Sequence, residues 1–302
     1  MANVGGQAVL EGVMMRGPGN WAVAIRTPSG EIAQVSHPID SAMARHLVFR
    51  LPIVRGVIAL GESLAIGFRA LSVSAHYAAA EEAEGDEEPA EIGRWALVFS
   101  FLVAIGFAVS VFKIGPGLLT DLLPISSGPL FVLVEAVIRI TIFVGYLALL
   151  SLLPHLKRVF QYHAAEHKAI NAYEAGVELT PENAQRFSLI HPRCGTSFLF
   201  WVVVISAFVY APFGRLPLQY IVLTRALLLL PIAGLAYELI RFAGKHQENR
   251  VLMTLLAPGL WLQRLTTREP ELDQLEVSIR ALSDVLDLEN VGSEPSLVEV
   301  MA

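Results

Sequence analysis

Apolar residues in this chain gather into long runs, and a bilayer span needs about 20 of them in succession. Four windows approach that length. Trp95–Phe112 carries no charge, whereas Leu130–Leu153 holds Glu135 and Arg139. Phe198–Pro212 reaches a span only if Gly195–Ser197 joins it, and Leu218–Ile240 holds Arg225 and Pro231. A fifth stretch, Leu51–Ala80, has Arg55, Glu62, Arg69 and His76 at every seventh position. That spacing draws a polar stripe along one helix face. Charges at a bilayer centre cost about 2.5–3.5 kcal/mol each, so this segment is expected to lie at the interface as an amphipathic helix.

Basic residues divide the same way. With four spans, Arg16, Arg26, Arg45, Arg50 and Arg55 share one side with Lys157, Arg158, Lys168, Arg186 and Arg193, and with Arg241, Lys245, Arg250, Arg264 and Arg268. The opposite loops offer little more than Lys113 and Arg215. The positive-inside rule then puts both termini in the cytoplasm. The expected fold is mainly α: a polytopic membrane protein of four transmembrane helices, with a small N-terminal β-hairpin region and an interfacial amphipathic helix.

The segments outside the spans follow from shorter patterns. Residues 1–40 form a β-rich piece, in which Trp21–His37 alternates around the turn Pro28-Ser29-Gly30. Residues 41–80 are the amphipathic helix and 81–94 an acidic linker. Spans one and two occupy 95–153, and a His-rich cytoplasmic loop with a helix over Leu156–Ala175 fills 154–197. Spans three and four follow over 198–242. The remainder, 243–302, holds an amphipathic helix over Glu271–Leu288 and an acidic, disordered end.

Composition supports the membrane assignment. Of 302 residues 54% are hydrophobic and 17% charged, against about 25% charged in soluble domains; mean hydropathy is +0.55. A net charge of −6 without a basic stripe excludes a nucleic-acid binder. Membrane lipids are the expected partners, homo-oligomerisation stays open, and no substrate is named by these patterns. One cysteine, Cys194, rules out an internal disulfide.

The candidate chemistry lies in the His-rich loop. His163 and His167 share a helix face at i and i+4, with Glu166 beside them. This H-x-x-E-H order reverses that of the common zinc peptidases. Two neutral imidazoles there could hold a divalent metal, most naturally zinc, while Glu166 serves as the catalytic general base. Glu238, at the cytoplasmic end of the last span, could supply a third ligand. His191 and Cys194, in the same loop, could instead close a structural zinc site. A hydrolase and a non-enzymatic transporter or assembly factor therefore both fit, the latter using the metal structurally or having none. Cys194 could also be a nucleophile or simply a small buried apolar residue. Inside the membrane, Glu135, Arg139 and Arg225 lie close enough in depth to form one charged cluster.

Four stretches, GGQAVLEGVMMRGP (5–18), QYHAAEHKAINAYE (161–174), HPRCGTSF (191–198) and LTTREP (265–270), together resemble the YqhQ family of bacterial membrane proteins. That family has no known function and is labelled as predicted metal-dependent enzymes. The usual form of its central motif has Gly where this chain has Ala164. The resemblance implies that His163, Glu166 and His167 bind metal, and it draws attention to Glu11 as a further ligand or a partner of Arg16.

Overall fold

The structure is a computed structural model and describes residues 3–82, 94–214 and 216–291. The acidic run from residue 83 to 91 and the acidic end beyond Val291 lie outside the described residues. Four strands open the chain: β1 (Gly5–Val9), β2 (Gly12–Arg16), β3 (Asn20–Arg26) and β4 (Ile32–Pro38). They form an antiparallel meander in sequence order. Val9 pairs with Gly12, Arg16 with Trp21, and Arg26 with Ile32. The β3–β4 hairpin is the one expected around Pro28-Ser29-Gly30, and the glycine-rich segment before it supplies the other two strands.

Twelve α-helices follow among the described residues. They are α1 (Ala42–Arg45), α2 (Val54–Glu82), α3 (Arg94–Val109), α4 (Gly115–Asp121), α5 (Gly128–Ser151), α6 (Pro154–Glu174) and α7 (Pro181–Ala184). Then come α8 (Gly195–Tyr210), α9 (Leu218–Leu227), α10 (Leu229–Lys245), α11 (Arg250–Thr266) and α12 (Leu272–Val291). A π-helical turn, Ser110–Ile114, joins α3 to α4.

The sheet is covered on both faces. Val13, Met15, Ala22 and Ala24 pack with Tyr162, Ala165 and Ala169 of α6 and with Leu275, Leu282 and Val285 of α12. Val9, Met14, Trp21, Val23 and Ile25 face the other way, onto Ile66 and Ala70 of α2. Successive strand residues point to opposite faces, so the interiors of β2 and β3 can be apolar on both sides and stay buried. The C-terminal amphipathic helix expected over Glu271–Leu288 is α12, and this layer is what it was amphipathic for.

Four helical stretches are long and apolar enough to cross a membrane: Val54–Ala78, Phe99–Asp121, Gly128–Ser151 and Gly195–Phe213. They mark the chain as a membrane protein. Three of them are expected spans, the first extended through the π turn and the third taking in Gly195–Ser197. Leu218–Ile240, expected as one span, is broken at Leu228 into α9 and α10. Pro231 has no N–H for the Leu227 carbonyl and its ring crowds that group. Val54–Ala78 is the segment whose charges argued for the interface, and two of its four stripe residues are held by protein groups. Arg55 pairs with Glu238 at 2.5 Å. Glu62 accepts from Arg16, Ser41 and the Ala42 N–H at 2.8–2.9 Å. The pattern predicted nothing for α11, where Pro258-Gly259 interrupts the periodicity, yet it packs on α8 and α5.

Because α12 completes the sheet's core, Leu275→Ala is expected to cost about 2–5 kcal/mol, read as a lower midpoint in denaturant unfolding of the detergent-solubilised chain. Ser278→Ala, one helical turn away, is expected to be neutral or mildly stabilising, since its buried hydroxyl has no hydrogen-bond partner among the described residues. Equal losses at the two positions would show that α12 does not pack as described.

Candidate metal centre

The His-Glu-His turn sits in the middle of α6. Pro154 at the first position suits a helix start, and five alanines between positions 164 and 175 favour helix continuation. Gly176, at φ +69°, ends it with a Schellman pair: Gly176 N–H to Tyr173 O at 2.9 Å and Val177 N–H to Ala172 O at 3.3 Å. The middle of this helix lies under β1, so Glu166 and His167 are 2% and 1% exposed. Burying such groups is costly unless they find partners.

Both imidazoles find them in backbone carbonyls. His163 Nδ1 lies 2.9 Å from Thr266 O, and His167 Nδ1 lies 2.5 Å from Leu189 O. A carbonyl can only accept, so each Nδ1 carries a proton and each Nε2 is the nitrogen left for the centre. Metal-ligating histidines usually have their other ring nitrogen fixed in this way. Cys194 comes to the same point from the start of α8, its Sγ 3.4 Å from His163 Nε2. One ligand atom from each of His163, His167 and Cys194 lies within 4.8 Å of the others.

The cysteine is fixed by a clamp on its loop. Gln263 of α11 accepts from the His191 N–H at 2.9 Å and donates to the His191 carbonyl and to Ser197 Oγ, each at 2.8 Å. Cys194 then caps α8, with the Thr196 N–H 3.4 Å from Sγ. A helix N-terminus favours negative charge. Burial disfavours the ionised forms of both Cys194 and His163. Each nevertheless stabilises the other, so the thiol is held well below its usual range and the imidazole is raised to about 9. A thiolate is thus available as a ligand at neutral pH.

Glu166 completes the centre. One carboxylate oxygen is 3.9 Å from His167 Nε2, and the other is buried with no hydrogen-bond partner among the described residues. Burial pushes its carboxyl up, against the pull of the two histidines. Gly6 of β1 covers it so closely that a Cβ there would stand 2.7 Å from Glu166 Cγ and 2.8 Å from the Met14 carbonyl. A cavity of about 440 Å³ opens beside these groups, lined by His163, Glu166, His167 and Cys194 and by Arg16 from the sheet. The converging atoms suit a divalent metal: two imidazole Nε2 atoms and one thiolate sulfur, with the Glu166 carboxylate beside them on an open cavity.

Two expected ligands are elsewhere. Glu238 binds Arg55 through both oxygens, at 2.5 and 2.7 Å, and accepts from the Ile53 N–H at 3.2 Å. With its charge spent there, it is not brought to the histidines. His191 is buried but turned to Glu174, 3.5 Å away, and stands outside the group of converging ligand atoms. Glu11 is also remote, paired with Arg158 at 2.5 Å, while Arg16 binds Glu62 and Ser63. Thr266, Gln263 and Gly6 emerge only from the fold, although Gly6 and Thr266 fall inside two of the four motifs. All four motifs converge here: β1–β2 as roof, α6 as floor, Cys194 at the rim and Thr266 behind His163.

Residues 51–288 match a protein family of unknown function, DUF1385. The chain belongs to this family. It is 34% identical over 303 residues to the uncharacterized protein YqhQ of Bacillus subtilis (strain 168), a match covering 96% of this chain and 94% of that one. No solved structure matches.

The neighbouring His191–Glu174–Arg193 group sets an acid limit. Burial depresses His191 from 6.5 to about 4, with Arg193 and His167 adding to the effect and Glu174 opposing it. A depressed folded-state pKa means that the unfolded chain binds the proton more readily, so stability is full above about 6.5 and falls as pH drops towards 4. Glu174 resists burial's upward push through His191 and Arg193 and is held at about 2 rather than 4.5, which extends the loss below that window. In melting temperatures measured against pH, His191→Asn is expected to flatten the decline between about 6.5 and 4. An unchanged slope would rule out a neutral, buried His191.

Proposed function

We propose that this chain is a metal-dependent hydrolase at the cytoplasmic boundary of a bacterial inner membrane. The carrying observation is that two imidazoles, each locked by a backbone carbonyl, present Nε2 beside a cysteine sulfur and a partnerless buried carboxylate. His163, His167 and Cys194 are the metal ligands and Glu166 is the catalytic carboxylate. Imidazole with thiolate favours zinc. Three protein ligands leave a position for water or substrate, as catalytic zinc sites do, whereas a structural site would need a fourth ligand. His191, turned to Glu174, does not supply one. This favours the enzyme over a purely structural role.

Bound there, a divalent metal would supply Lewis-acid activation of water and of a substrate carbonyl. The protein's own groups do the rest. Glu166, raised by burial, takes a proton from water and returns it to the leaving group. The carbonyls of Thr266 and Leu189 hold the imidazole tautomers throughout. The cavity walls from α2 and α8, including Leu60, Leu64, Phe198 and Leu199, favour a substrate with an apolar body.

Placement at the membrane surface has its own support. An open sheet has unpaired edges that cannot rest in hydrocarbon. Since α2 lies along this sheet through Ile66 and Ala70, its second half belongs at the interface. The distribution of Lys and Arg favours the cytoplasmic side, with both termini inside and α9 and α10 together making the fourth crossing after α3–α4, α5 and α8.

Elemental analysis of the purified chain tests the ligands. About one zinc per chain is expected, dropping severalfold in His167→Ala and remaining in Glu166→Gln. Equal metal in wild type and His167→Ala would overturn the assignment. Once a hydrolysed substrate is in hand, Glu166→Gln is expected to lower turnover by about 10²–10⁴. Turnover that survives this change would remove Glu166 from the reaction.

A further inference from the structure

A second cluster of buried charge lies at the other end of α8. Cys194 caps the first turn of that helix, while Ser206 and Tyr210 stand about 18 and 24 Å farther along, at about 1.5 Å per residue. There Glu135 of α5 accepts on a single oxygen from Arg139 and, at 2.5 Å, from Arg225 of α9. Arg139 also donates to Ser206 Oγ at 3.0 Å. The Arg225 guanidinium lies 3.5 Å over the Tyr210 ring. The sequence placed these three charges at similar depth, and the fold brings them into contact.

A fourth group changes what the cluster can be. Lys113 projects from the π-helical turn Ser110–Ile114, which packs against α5 and α9. It lies within electrostatic reach of both guanidiniums. Its Nζ is buried with no hydrogen-bond partner among the described residues. Glu135 is the one carboxylate paired with the two arginines among those residues. Three cations therefore face one anion, with Glu135, Arg139 and Arg225 only 2%, 1% and 7% exposed.

A helix-pinning ion pair would balance its charges, and one guanidinium would satisfy Glu135. Here two positive charges are left over in an apolar bundle, where burial of an unpaired charge is severely unfavourable. Donors are left over as well. Among the described residues Arg139 Nε, Arg225 Nε and Lys113 Nζ are buried without hydrogen-bond partners, and the Tyr210 O–H has no acceptor. Buried donors in folded proteins are nearly always satisfied. Four orphans around one excess of charge describe the complement of an oxyanion. π turns also tend to occur at functional sites.

We propose that Lys113, Arg139, Arg225 and Tyr210 form a binding site for a phosphate-type oxyanion at the end of the bundle opposite the His/Cys centre. Guanidiniums match phosphate oxygens with their planar forks, and lysine adds a point charge. Either a phospholipid headgroup or free phosphate presents this chemistry. The site does not depend on the metal centre.

The test uses the full chain in nanodiscs of phosphatidylcholine, followed by melting temperature. Inorganic phosphate is titrated in one arm, against chloride at equal ionic strength. Phosphatidylglycerol replaces part of the lipid in the other. The wild type is expected to be stabilised by phosphate, which identifies a free anion, or by phosphatidylglycerol, which identifies a headgroup. Lys113→Met removes one of the two excess charges without stripping Glu135 of a partner. It is expected to bind the same probe at least about tenfold more weakly and to melt no lower than wild type in phosphatidylcholine alone. Tyr210→Phe, which deletes only a hydroxyl, is expected to weaken binding about three- to tenfold. Stabilisation by neither probe, an effect equal to that of chloride, or an unaltered response in both variants would overturn the proposal.

Discussion

Burial of one polar turn of α6 is the constraint on which the rest of the structure depends. Glu166, His167 and Lys168 are buried in the middle of α6, with His163 half-buried one turn before them. Such groups stay buried only when other groups meet them. The fold supplies these from distant parts of the chain: Thr266 O for His163, Leu189 O for His167, and Gln185 O with Glu269 for Lys168. Glu166 is the exception, with one oxygen left bare. A bare buried oxygen calls for a water, an ion or a reacting group to meet it, and the proposed metal centre supplies one.

That constraint explains why a membrane protein carries a small sheet. β1 must pass directly over Glu166, and Gly6 is the residue that lets the backbone do so. A strand needs neighbours to be stable, so the meander β1–β4 accompanies it, and α12 and α2 close its two faces. The helical bundle contributes from below through α8, whose first turn holds Cys194, and α11, whose Gln263 fixes the loop before it. Membrane anchoring and site construction thus share the same helices.

Much of this was legible in the residues. The apolar runs located α5 and α8 and most of the first span, the alternation around Pro28-Ser29-Gly30 gave the β3–β4 hairpin, and the i, i+4 histidines identified the centre. Periodicity could not show that Pro231 splits Leu218–Ile240, because hydropathy counts residues and ignores the missing N–H. Nor could it reveal that α11 continues through Pro258. Glu238 illustrates a different limit. Its side of the membrane made it eligible as a ligand, but Arg55 claims it, and no spacing rule encodes a pairing across 183 positions. His191 was lost to Glu174 in the same way. Gly6 and Thr266 act through backbone approach and a carbonyl, which side-chain chemistry in a sequence does not display.

The central claim is that Cys194 and the two histidines of α6 share one metal ion. X-ray absorption at the zinc edge on the purified full-length chain addresses it directly. The account expects one sulfur scatterer at about 2.3 Å and nitrogen or oxygen scatterers at about 2.0–2.1 Å, with the sulfur shell absent from Cys194→Ser. A spectrum without sulfur, or one that Cys194→Ser leaves unchanged, would contradict it.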